Sequence, residues 1–311
     1  MRRALVALCA GTLLSAPAFA GVCHSWSDGD RLGALDSRLA PEASGLAASR
    51  AHPRLYHVND SGDGPFLYVS DLSGDGLRRL RLGGVQAVFD AEALALGTLF
   101  GEPTLIVGDI GDNLLQRRTV DLLAIRERDI TPDAAPVFGK VAARYPDGPH
   151  NAEALLLAPD GRVYVLTKSW TERGRDPAAS RLYRVDPDAW KAGGGPVTMA
   201  FVGEIDFPAL SIRERVPLSD VVTDAAMSAD GSRFLVLTYG YAWEFALDLA
   251  PGALPPTADL KRGRDYQVIR LAPMLGKETI AYLPGDRSFL YGKEFKPDSK
   301  PSELIRVDCL D

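Results

Sequence analysis

Histidine and cysteine are scarce, at four and three residues in 311. His24, His52, His57 and His150 come with no paired cysteines at the spacing of a zinc site, so a transition-metal centre built on nitrogen and sulfur is excluded. Basic residues do not predominate: 35 against 41 acids gives a net charge of −6. That balance offers no footprint for nucleic acid and no polybasic patch for a membrane surface. There is no G-x-S-x-G elbow, no Ser/His/Asp set that any repeat brings together, and no Walker or Rossmann glycine pattern after a strand. Neither a long capped helix nor a low-complexity linker divides the chain.

Only one apolar run is long enough to suggest targeting. "MRRALVALCAGTLLSAPAFA" has Arg2 and Arg3, an apolar stretch from Ala4 to Leu14, and Ala18-Phe19-Ala20. That is the form of a secretory signal with an A-x-A cleavage site, predicting export to the periplasm or beyond. Cys9 follows Leu8 and Cys23 follows Val22, so neither has the small preceding residue of a lipobox. No second run of about twenty apolar residues follows, and no membrane span is expected. Residues 21–311 are read as one domain, expected to be monomeric. They retain two cysteines, Cys23 and Cys309, at opposite ends. In an oxidising compartment such a pair is expected to form a disulfide, which requires the termini to meet; two unrelated thiols are the alternative.

What the sequence has in abundance is a repeat. Five segments begin with an acid, continue through small and apolar residues, turn, and enter a second β-rich run. They are "EASGLAASRAHPRLYHVND" from Glu42, "EALALGTLFGEPTLIVGD" from Glu92, "EALLLAPDGRVYVLTK" from Glu153, "DAAMSADGSRFLVLTY" from Asp224 and "ETIAYLPGDRSFLYGK" from Glu278. "APDG", "SADG" and "LPGD" supply Pro/Asp/Gly turn chemistry, so each unit reads as a tight antiparallel hairpin. Two further candidate strands follow each of the first four hairpins, but the fifth has only "ELIRVD". The segment "DRLGALDSRL" near the N-terminus is a candidate for the missing strand. Four strands per unit, repeated radially, predict an all-β propeller of five blades whose last blade the N-terminal segment closes. A sixth, degenerate blade between Asp186 and Val222 stays open as an alternative.

In a propeller the first strand of each blade lines the central channel. The leading acids Glu42, Glu92, Glu153, Asp224 and Glu278 are then expected around one axis. Two carboxylates about 5 Å apart at an effective dielectric near 20 repel by about 3 kcal/mol. Protonation, pairing with lysine, or a cation would relieve this. Oxygen-only ligation favours a hard ion, Ca²⁺ above others. The alternative is that these acids cap backbone amides. The closing positions of the hairpins hold Asp60, Asp109, Lys168, Tyr239 and Lys293, expected at the same end of the tunnel. Lysines there would neutralise acids or meet an anionic substrate. The loop "GDIGDNLLQRR" adds Asp112, Asn113 and Arg117 as candidate substrate contacts, and it lacks the twelfth-position glutamate of an EF-hand.

The stretches "DAEALAL…LIVGDIGDN", "NAEALLLAPDGRVYVLTK" and "VTDAAMSADGSRFLVLTY" resemble exported propellers grouped with TolB-like and phytase-like esterase domains. One leading acid per blade is also similar to the five-bladed calcium-activated apyrases, which hold Ca²⁺ in the tunnel and hydrolyse nucleoside di- and triphosphates. That resemblance implies Glu92, Glu153 and Glu278 as Ca²⁺ ligands, with Glu42 and Asp224 in the remaining blades, although apyrases carry serine at some of these positions. The expectation is a metal-assisted hydrolase of a small phosphoester or ester, with Asp60 or Asp109 as base. Lys168, Arg117 and Lys293 would neutralise an anionic substrate. The rival is a non-catalytic module holding a protein or glycan ligand on the same face.

Overall fold

The computed structural model describes residues 21–60, 62–168, 170–171, 174–175, 179–191, 195–210, 218–250, 253–273, 276–294 and 302–311. The signal segment predicted at 1–20 lies outside them. The repeat folds as five antiparallel four-stranded meanders arranged as a β-propeller. Their innermost strands are Ala43–Ala48, Ala91–Leu99, Ala152–Leu157, Val222–Met227 and Lys277–Tyr282 for blades 1 to 5. The second strands are Leu55–Asn59, Glu102–Asp109, Val163–Thr167, Phe234–Thr238 and Ser288–Lys293.

Blade 5 is finished by the other end of the chain. Asp30–Leu35 pairs antiparallel with Ser302–Asp308 as the outermost strand, where the repeat count leaves a gap. Cys23 and Cys309 are joined in a disulfide, and Trp26 bridges Cys309 beside it. No sixth blade exists among the described residues. The stretch after Asp186 instead supplies the outer strand of blade 3, Ala200–Ile205, and the short helix Phe207–Leu210. It also sends Val197–Thr198 back to lie parallel on the outer strand of blade 2. Ala134–Pro136 does the same for blade 1, so two sheet edges that would invite foreign strands are covered.

Apolar burial is divided into five wedges, one between each pair of neighbouring blades. The wedge between blades 3 and 4 is rich in aromatics: Phe234 stacks on Phe245 at 5.1 Å, and Phe207 meets Trp243 edge-on at 5.4 Å. Near the axis, by contrast, alanine is the commonest residue of the inner strands, because five backbones crowd one line. Gly45 shows the limit: a Cβ there would stand 2.6 Å from the backbone nitrogen of Leu94 in blade 2.

Each inner hairpin has a β-bulge at the same height. The register shifts between Ser44 and Leu46, Ala91 and Ala93, Ala152 and Ala154, Val222 and Asp224, and Lys277 and Thr279. The bulged residues are therefore Gly45, Glu92, Glu153, Thr223 and Glu278. A bulge inserts one unpaired residue and re-aims its side chain. It is the frame in which the acids of this chain must be compared.

Two predictions concern stability. The Cys23–Cys309 link spans 286 residues, and the chain-entropy account assigns such a loop about 5.6 kcal/mol. Replacing both cysteines by serine is expected to lower unfolding stability by about 3–5 kcal/mol, read as a lower urea midpoint with a larger m, because the unfolded chain is no longer held as a loop. His57 is fully buried behind Ser70, and burial lowers its imidazole to about 3. It is neutral in the fold but takes a proton when unfolded below about pH 6.5. Its contribution is thus complete above that pH and declines toward pH 3, by up to about 1.4 kcal/mol per unit. Denaturation curves of His57→Gln should lack that part of the acid slope.

Candidate functional site

At the bulged end of the tunnel the inner hairpins enclose a polar cavity of about 130 Å³. Its wall is Glu42, Ala43, Ser44, Asp60, Glu92, Asn113, Glu153, Lys168, Tyr239, Glu278 and Glu294. Six of these are Asp or Glu and one is lysine, so a hydrated cation or a proton finds far more oxygen here than an anion does. At the opposite end the tunnel narrows to a space of about 20 Å³, lined mainly by alanine and leucine with Arg50 at its edge.

The leading acids do not occupy equivalent positions. Glu92, Glu153 and Glu278 are the bulged residues of blades 2, 3 and 5. Glu42 stands before its strand, three residues ahead of the bulged Gly45, and still reaches the cavity. Asp224 is one residue past the bulge of blade 4 and does not line the cavity. Its two oxygens accept the amides of Ala225 at 2.8 Å and Ile280 at 2.7 Å, with Leu46 as a further donor. Burial pushes its carboxyl up against the pull of those amides. Asp224 thus ties the inner strands of blades 4, 5 and 1 together.

The closing ring divides in the same way. Backbone pairing aligns Asp60, Gly111, Lys168, Tyr239 and Glu294, whose amides bond Glu42, Asp90, Asn151, Val221 and Gly276. Asp60, Lys168 and Tyr239 accordingly face the cavity. Asp109 and Lys293 each stand earlier in their strands, pairing across the hairpin with Ala91 and Lys277, and neither lines it. A one-residue step in a strand reverses the face, which is why sequence spacing missed Glu294, the next residue after Lys293. Lys277 was also unforeseen. Its ammonium donates to the Tyr239 carbonyl at 3.0 Å, and burial lowers it to about 8.

The loop after Asp109 is a brace. Arg117 pairs with Asp109 at 2.8 Å, and Asp109 accepts the amides of Phe89 and Asp90. Asp112 caps the amides of Gln116 and Arg117, and Arg117 also donates to the Gly111 carbonyl. Of this loop, Asn113 lines the cavity; Asp112 and Arg117 do not.

Blade 2 holds the residue that spacing gave no hint of. The closing position there is Gly111, where a Cβ would lie 2.3 Å from a carboxyl oxygen of Asp90. The space that a side chain fills in the other blades is taken by Asp90, which meets Asp60 and Glu92. Its carboxyl is pushed up to about 7, first by burial and then by the charge of Asp60. Glu92 is raised well above the carboxylate range by burial, then by Glu153, Asp60 and Asp90. Across the cavity Lys168 forms an ion pair with Glu153 and lies 5.5 Å from the centre of the Tyr239 ring. Burial would lower Lys168, but Glu153 and Glu278 outweigh it and hold the ammonium high. Burial also raises Glu278, with Glu153 the largest charge acting in the same sense.

Asp224→Asn is expected to set an amide NH₂ against a backbone N–H at the axis. Leaving such a buried donor unsatisfied costs about 1–3 kcal/mol. Differential scanning calorimetry should show a Tm lowered by several degrees, with no change in what the cavity binds.

No protein-family model and no curated protein sequence matches the chain. Among solved structures it is similar to a luciferin-regenerating enzyme, with TM-score 0.45 and 11% identity over 87% of this chain and 92% of that one. It is likewise similar to regucalcin from Agrobacterium tumefaciens, described as a calcium-binding protein (0.43; 11%; 91% and 93%). A third is the PQQ domain of pyranose dehydrogenase from Coprinopsis cinerea (0.45; 9%; 85% and 81%). At these identities the likeness is one of shape.

Proposed function

We propose that this is an exported propeller that binds a hard divalent cation, Ca²⁺ in the first instance, in the carboxylate-lined mouth of its tunnel. On this reading it hydrolyses a small phosphoester or ester there. The observation that carries it is the convergence of Glu42, Asp60, Glu92, Glu153, Glu278 and Glu294 on one cavity against Lys168. Buried like charges at this density call for protons or a cation. With neither histidine nor thiolate in the wall, a hard ion ligated by oxygen is the fitting occupant. The terminal disulfide supports an oxidising compartment, in keeping with the signal that the first twenty residues predict.

A bound cation would polarise the phosphoryl or acyl oxygen and acidify a water. Lys168 presents the ammonium that neutralises substrate charge, exchanging part of its pairing with Glu153 for the anion. Water adds across the ester: its oxygen bonds to phosphorus or to the acyl carbon, and the P–O or C–O ester bond breaks. The water's proton passes to the wall carboxylate of Glu294 and on to the leaving oxygen. Asp109, braced by Arg117 outside the wall, is not assigned the role of base. A ligand-binding reading has its own observation: Leu114 of the brace loop and Phe89, whose ring lies under Arg117, are 47% and 70% exposed.

The test is turnover of p-nitrophenyl phosphate, p-nitrophenyl acetate and nucleoside di- and triphosphates with Ca²⁺ or with EDTA. Ca²⁺-dependent hydrolysis of one class is expected, lost at least about a hundredfold in Lys168→Met and Glu153→Gln, as for removal of a group that stabilises transition-state charge. A calcium-dependent rise in Tm with no turnover on any class would replace hydrolysis by ligand binding.

A further inference from the structure

The carboxylates of the mouth are not equally suited to an ion. On one side, Glu153 has Lys168 as its counter-ion, and Glu278 lies beside Lys168 and the Tyr239 hydroxyl. Asp224 has its oxygens turned to backbone amides. The side formed by blades 1 and 2 is different. There Asp60, Asp90 and Glu92 each present an oxygen, and these three atoms lie within 4.8 Å of one another. Oxygens that share a Ca²⁺ at about 2.3–2.6 Å stand no more than about 5 Å apart, so one ion reaches all three.

A second observation points to a ligand. Asp90 is only 6% exposed; its carboxyl bonds that of Asp60 and lies in the field of Arg117, yet its Oδ1 has no hydrogen-bond partner. A buried carboxylate oxygen left so is costly unless something positive meets it. The surroundings are arranged around that carboxyl. Asp109 holds the Asp90 amide at 2.9 Å, and Gly111 leaves room where any side chain would strike it. The Ser44 hydroxyl is 3.4 Å from the Glu92 carboxylate, and Asn113 lines the cavity that Asp60 and Glu92 face. With water these make up the six to eight oxygens that Ca²⁺ takes.

We propose that the cation sits off the propeller axis, on Asp60, Asp90 and Glu92 of blades 1 and 2. This leaves the Lys168 side of the cavity for an anion. The inference rests on the cation-binding reading above and adds to it the seat of the ion and a ligand, Asp90.

Isothermal titration of the mature, disulfide-bonded protein with CaCl₂ tests both and separates them. Asp90→Asn is expected to weaken Ca²⁺ binding at least thirtyfold, and Glu278→Gln to change it less than threefold. Gly111→Ala alters no charge but displaces the Asp90 carboxyl, and is expected to weaken binding at least tenfold. Far-UV circular dichroism and Tm without calcium check that each variant folds. Binding that survives both Asp90→Asn and Gly111→Ala but is lost in Glu278→Gln would put the ion on the axis and overturn the seat alone. Should the unaltered protein bind no Ca²⁺ at millimolar concentration, the cation-binding reading falls with it.

Discussion

The closing pair of strands, Asp30–Leu35 against Ser302–Asp308, is the constraint on which the molecule turns. A propeller blade buries its faces only against its neighbours, so an open ring would leave two blades each with one bare apolar face. Here the wedge between blades 5 and 1 holds Leu35, Leu46, Leu55, Tyr68, Leu290 and Leu304, drawn from both ends of the chain. Closure therefore decides whether that wedge exists. It also decides whether Glu42 and Asp60 of blade 1 face Glu278 and Glu294 of blade 5. The disulfide beside this seam makes the same connection covalently.

Within the closed ring, crowding at the axis and the bulges together create the site. Alanine and glycine let five inner strands approach, and at Gly45 even one methyl group would meet the backbone of the next blade. At that same level a bulge in every hairpin turns one residue out of the ladder. Three of those residues are glutamates, and the repeat delivers them to one cavity. Asp224, displaced by one residue from this frame, has the opposite fate: it satisfies amides of neighbouring strands and stabilises the axis.

The electrostatics follow from that geometry. Carboxyls gathered in a small, largely buried space raise one another's proton affinity, and burial adds to the effect. Lys168 relieves one side of the mouth through Glu153. On the other side Asp60, Asp90 and Glu92 remain close together, with Arg117 engaged behind them in bracing Asp109. The site is thus asymmetric although the fold that carries it is nearly five-fold.

The fold was legible in the sequence because its signals are local and repeated. Hairpin turns such as "APDG" and "SADG", alternating β-rich runs, a repeat lacking one strand at its end and cysteines at both extremes each report on a short segment. Together they admit few architectures. The site was legible in part. Glu42, Asp60, Glu92, Glu153, Lys168, Tyr239, Glu278 and Asn113 were marked by spacing and do share the cavity. Asp109, Lys293 and Asp224 were marked by the same spacing and do not, because a bulge or a single added residue reverses which way a strand residue faces. Asp90 and Glu294 were invisible for that reason too, and Asp90 also because its place depends on the missing side chain of Gly111 across the hairpin. The sequence alone determined the repeat, the seam and the acidic character of the mouth, since local pattern and composition specify those. Which carboxylates meet, and which are spent on backbone amides, was decided only when closure and bulge register set one blade against the next.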